Sequence, residues 1–121
     1  MDWTVIPYQT ADGEPVVKDE MQQFGDHEYV RLIKAAHLLE EYGLEIGASH
    51  VKHLSGDLWE LRFDRYRILY TTFPGRRFIL LRVFIKKTQR TPDKELRIAA
   101  NRMKDFAARY GGSADARQDK G

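Results

Sequence analysis

The chain has 121 residues, no cysteine and a formal net charge of +2. That length suits one domain able to bury a core unaided, and the missing cysteines exclude disulfides and thiolate metal sites. The small net charge hides a split: residues 1–50 carry 10 Asp/Glu against 3 Lys/Arg, and residues 51–121 carry 8 against 17.

The opening MDWTVIPYQTADGE has neither a basic leader nor a long apolar run. No signal peptide or membrane span is expected, and a cytoplasmic location is. WTVIPY (3–8) reads as a short edge strand because of Pro7. EPVVKDEMQQF (14–24) reads as a helix with Pro15 in its first turn and Val17, Met21 and Phe24 on one face. Asp26 is the expected cap of a second helix, 27–42, with Tyr29, Leu32, Ile33, Ala36 and Leu39 inward and Gly43 as its stop.

Strands follow at SHVKHL (49–54), LWELRF (58–63), RILYTTF (67–73) and RFILLRVFI (77–85), the last apolar on both faces. Thr91 is the expected N-cap of a final helix, with Pro92 at N1 and an apolar stripe from Leu96 to Tyr110. Residues 111–121, GGSADARQDKG, read as a disordered tail. The order predicts an α+β fold: two N-terminal helices on a mainly antiparallel sheet of four or five strands, plus a C-terminal helix.

Two hairpin registers are expected. A two-residue loop at Asp64-Arg65 sets Arg62 opposite Arg67, and a loop at Pro74-Gly75 sets Arg67 opposite Arg82. Arg62, Arg67 and Arg82 then form a row, with Glu60 beside them and Lys86 beyond the end. Trp59, Leu61, Phe63, Tyr66, Ile68, Tyr70, Ile79, Leu81, Val83 and Ile85 line the opposite, helix-covered face. Like charges facing one another in a sheet are unfavourable. Either Glu60 and other carboxylates neutralise the row, or the row binds an anion such as a phosphate. The basic C-terminal part favours nucleic acid as that anion.

No nucleotide-binding glycine loop or serine-hydrolase elbow occurs, and the four histidines lack metal-motif spacing. His50 or His53 is either a general base near neutral pH or plain surface. Lys52 between them either touches RNA backbone or is surface as well.

The segments LWELR, YRILY and FIKKTQRTP, leading into a helix with ELRIAANRM, resemble the RelE/ParE superfamily of bacterial toxins. More closely they resemble its HigB-like, phage-derived branch, in outline over 1–108 and closely over 54–106. The resemblance implies one toxin domain at 1–110 that cleaves mRNA in the ribosomal A site without a cofactor or metal. It implies a helix-turn-helix, HigA-like antitoxin partner. It also implies catalytic roles for Arg67, for the pair Lys86 and Lys87, and for Arg62. Lys52, His53, Arg82 and Arg90 are expected RNA contacts beside them. Some relatives carry lysine where this chain has Glu60, and the tyrosine some use near the last helix has no match in TPDKE. The same fold also serves ParE-like gyrase inhibitors and is compatible with a non-catalytic nucleic-acid-binding module.

Overall fold

Leu69, Ile79 and Leu81, none with any exposed surface, lie in the two strands that carry the core. The computed structural model describes residues 2–110. The tail expected at 111–121 lies outside the described residues. In chain order the elements are β1 (Thr4–Pro7), α1 (Val16–Gln22), α2 (Asp26–Tyr42), a 3-10 turn (Gly43–Glu45), β2 (Val51–Ser55), β3 (Leu58–Phe63), β4 (Tyr66–Phe73), β5 (Arg77–Ile85) and α3 (Asp93–Tyr110). The sheet order is β1-β5-β4-β3-β2, with β1 parallel to β5 and every other pair antiparallel. The α+β expectation holds, and β3 and β5 have the expected bounds. Among the described residues no helix is long and apolar enough to cross a membrane.

Helix α2 does not start from an Asp26 cap. Gly25, at φ 97, is the capping residue and its carbonyl accepts the first turn's bond from Tyr29. A side chain at that φ is strained, so the glycine makes the break and Asp26 becomes the first helical residue. At the other end a Cβ on Gly43 would lie 2.5 Å from the Trp3 indole nitrogen, so glycine is needed for Trp3 to pack there. Trp3 in turn stacks on Phe78, with ring centroids 4.4 Å apart.

The β3–β4 hairpin has the expected register: Arg62 faces Arg67, Leu61 faces Ile68 and Trp59 faces Tyr70. The β4–β5 hairpin does not. Arg76 adopts a left-handed conformation, φ 58, and lengthens the turn, so Phe73 pairs with Arg77. A bulge then shifts the ladder again between Leu69 and Tyr70. Arg67 therefore faces Phe84, and Arg82 faces Leu69. The bulge also reverses which way the first half of β5 faces. Ile79 pairs with Thr71, away from the face carrying Tyr70, Phe78 and Leu80.

Both faces are covered. Helices α1 and α2 pack Met21, Leu32 and Leu39 into the core, and Phe24 meets Tyr66 edge to face. On the other face Phe106 of α3 packs against Phe73. Side chains also close the sheet's β1 side. The Glu40 carboxylate accepts the Val5 amide at 3.2 Å. Beyond the end of β1, Glu20 accepts the Val83 amide at 3.1 Å and Arg102 donates to the Leu81 carbonyl at 2.9 Å. Charges at an edge oppose pairing with a foreign strand.

Candidate active site

Glu60, on β3, is completely buried. Its Oε2 accepts a 2.7 Å hydrogen bond from the Thr91 hydroxyl, just ahead of α3. Its Oε1 lies 4.0 Å from Arg67 Nε on β4 and 3.9 Å from Lys86 Nζ, one residue beyond β5. These side chains are 17 % and 10 % exposed. Oε1 and Arg67 Nε are both buried without a hydrogen-bond partner. Arg67 Nη1 donates to the carbonyls of Asp64 and Tyr66, at 2.8 and 2.7 Å, which aims the guanidinium along the hairpin turn. The Lys86 amide donates to the Arg65 carbonyl at 2.9 Å, so the same turn locates Lys86. Arg62 faces Arg67 across the ladder and is exposed.

Two opposite charges about 4 Å apart attract by about 4 kcal/mol at an effective dielectric near 20. Desolvating such ions costs several kcal/mol each. The cluster is therefore a poor source of stability and a good device for placing charge. Among the described residues, neither Arg67 Nη2 nor the Lys86 ammonium has a protein hydrogen-bond partner. The two cations outweigh the one carboxylate, and a phosphate suits such a fork and point charge. Arg62 lines the open cavity that Lys52 and His53 also line.

The sequence profile of "Phage derived protein Gp49-like (DUF891)" matches residues 19–104, which contain every side chain of this cluster. The chain belongs to the Gp49-like family. It is 29% identical over 107 residues to "Probable endoribonuclease HigB1" from two strains of Mycobacterium tuberculosis, covering 84% of this chain and 82% of those proteins. Its fold is like that of a chain in the crystal structure of the toxin–antitoxin complex RelBE2 from Mycobacterium tuberculosis. That match has a TM-score of 0.55 and 18% identity, and covers 71% of this chain and 100% of that one. The expected RelE-like fold is the fold observed.

In this Gp49-like chain the other residues singled out by sequence lie outside the cluster. Arg82 shares a sheet face with Arg67 but is clasped by Glu20 at 2.7 Å and Glu95 at 2.6 Å. Burial works against its charge, yet the Glu95 hydrogen bond and the attraction of Glu20 hold it above its ordinary value. The arginine row is thus interrupted, and other carboxylates do neutralise its third member. Lys87 is exposed and lines a groove with Arg82, Phe84 and Glu95. Arg90 is exposed and 3.5 Å from Asp93. Lys52 and His53 lie on β2, beside an open cavity of about 670 Å³ that Trp59, Tyr70 and Phe78 also line. The His53 ring is 4.7 Å from Trp59, and its Nε2 is 2.7 Å from the Gly56 carbonyl.

Tyr66 and Tyr70 are buried on the opposite face from Arg67. Burial, with the Glu28 carboxylate for Tyr66, raises both hydroxyls above their ordinary range. Thr91, expected as a helix cap, turns to Glu60 instead, and the Pro92 carbonyl accepts the first bonds of α3. Its placement was not visible from sequence, because an N-cap threonine and a buried threonine share the same neighbours along the chain. Glu60 gave one signal: a carboxylate in the middle of a strand with basic residues on the same face. Among the described residues, no group of three His, Cys, Asp or Glu could hold a metal ion.

Proposed function

We propose that this chain is the toxin of a toxin–antitoxin pair and an endoribonuclease that cuts mRNA on the ribosome, halting translation in the cytoplasm. Residues 1–110 form the toxin domain in this reading. The observation that carries it is the meeting of Arg67 and Lys86 about one buried carboxylate, with Arg62 across the ladder. The endoribonuclease name of its HigB1 relatives supports the same chemistry.

The reaction is attack of a ribose 2′-oxygen on the adjacent phosphorus. The O2′–H and P–O5′ bonds break as the O2′–P bond forms, and one proton passes, through solvent, from the 2′-oxygen to the leaving 5′-oxygen. No metal is required in this scheme. Arg67 Nη2 and the Lys86 ammonium stabilise the charge that builds on the phosphate, worth typically a few kcal/mol per donor. Arg62, Lys87 and Arg90 meet neighbouring phosphates, and Lys52 and His53 meet RNA further along the sheet. Arg82 acts from its ion pairs rather than by touching RNA. Binding on the ribosome holds the 2′-oxygen in line. The partner is a co-encoded HigA-like antitoxin with a helix-turn-helix.

The purified chain, added to ribosomes translating a defined mRNA, should cut that mRNA and leave gyrase supercoiling unaffected. Intact mRNA with inhibited gyrase supports a ParE-like role instead, and RNA binding without cleavage supports a binding module.

A further inference from the structure

Arg67 and Arg82 share a sheet face, but their carboxylate partners treat them differently. Arg82 is gripped at hydrogen-bonding distance by two acids. Arg67 and Lys86 face Glu60 Oε1 at 4.0 and 3.9 Å, beyond hydrogen-bond reach. The carboxylates at Arg82 take hydrogen bonds from its Nε and Nη1. Glu60 Oε1 attracts two cations without taking a hydrogen bond from either.

We propose that Glu60 is a positioning residue of the active site: a buried anion that holds Arg67 and Lys86 side by side for one phosphate. This rests on the nuclease reading above. Glu60 cannot touch RNA itself, because it is 0 % exposed and its Oε2 is committed to Thr91. It acts through its neighbours. Four elements of the fold converge on it: β3 carries it, β4 brings Arg67, the end of β5 brings Lys86, and the approach to α3 brings Thr91. Two cations brought together repel each other, and the carboxylate between them offsets that repulsion before substrate arrives. A buried carboxylate oxygen without a hydrogen bond is costly, and such a group in a native fold calls for a reason. Holding two cations without consuming their donors supplies one. Thr91 locks the carboxylate's rotamer, so the start of α3 is coupled to the site.

The test compares Glu60→Gln, which keeps the shape and the Thr91 contact but removes the charge, with Glu60→Asp, which keeps the charge. Each is measured in two ways. The first is single-turnover cleavage of ribosome-bound mRNA across a range of ribosome concentrations. The second is hydrogen exchange of the Arg67 Nε–H in the free protein, read by NMR, which needs no RNA. Glu60→Gln should lower the maximal rate roughly 10- to 100-fold, the range typical of groups that orient a reacting shell, while half-saturation changes by less than about twofold. Its Arg67 Nε–H should exchange faster, and Glu60→Asp should recover part of both signals. Should Glu60→Gln fail to fold, Thr91→Val replaces it, with smaller changes of the same sign expected. A folded Glu60→Gln, or Thr91→Val in its place, with wild-type rate and wild-type exchange overturns the proposal. If wild-type protein cuts no mRNA, the nuclease reading fails, and the exchange measurement alone decides whether Glu60 holds Arg67.

Discussion

Arg82 is clasped by two carboxylates at 2.7 and 2.6 Å, whereas Arg67 lies 4.0 Å from one. Truncating Arg82 leaves Glu95, only 13 % exposed, without its arginine, and leaves Glu20, 11 % exposed, with Arg102 alone. Arg82→Ala should therefore destabilise the fold by about 2–4 kcal/mol, seen as a lower midpoint in urea denaturation, with cleavage per folded molecule little changed. An unchanged midpoint contradicts the assignment. Tyrosines give a second check. Burial raises Tyr8, Tyr66 and Tyr70, with help from Asp105 for Tyr8 and Glu28 for Tyr66. A hydroxyl raised in the folded state adds stability that is intact below its unfolded value near 10 and fades as pH climbs through the folded value. Absorbance titration should show Tyr8, Tyr66 and Tyr70 ionising late, and their contribution to stability should fade only above about pH 10. At this scale Arg67 and Lys86 were legible, because strand parity and the KKTQRTP turn place both near one end of the sheet. Glu60 was legible only as a neighbour, since alternation gives a residue's face but not its depth under a helix.

Elements were read well where side-chain period decided them and poorly where backbone geometry did. The strand LWELRF and the run RFILLRVFI were legible because alternation and continuous apolarity point to single answers. The β4–β5 register was not. A left-handed Arg76 and a bulge opposite Leu69 together move the ladder by two positions, and neither leaves a mark in composition. The acidity of residues 1–50 also acquires a role here, because Glu20 and Glu40 close free backbone edges. Glu20→Ala frees the Val83 amide and deprives both Arg82 and Arg102 of a partner. It should cost about 2–4 kcal/mol and promote concentration-dependent self-association through the opened edge, visible by light scattering. A monomeric variant of wild-type stability contradicts the edge-capping role.

At the scale of the molecule, an acidic N-terminal part and a basic sheet end offer two ways to silence the activity. An antitoxin that caps the cations should protect residues 58–90 from hydrogen exchange. One that grips α1 and α2 and blocks ribosome entry by bulk should protect 14–42. The charge split favours the second as an expectation, because a basic antitoxin segment would dock on the acidic helices and leave the cationic cluster open. Protection confined to 58–90 contradicts that expectation. In the proposed function Arg67 and Lys86 stabilise a phosphate during 2′-oxygen attack. Single-turnover cleavage of ribosome-bound mRNA by wild type, Arg67→Ala and Lys86→Ala, with the product ends identified, tests it most directly. Expected are 2′,3′-cyclic phosphate or 3′-phosphate and 5′-hydroxyl ends, and rates lowered roughly 100- to 1,000-fold in each folded variant. Ends bearing a 5′-phosphate, or folded variants that cut at the wild-type rate, would contradict it.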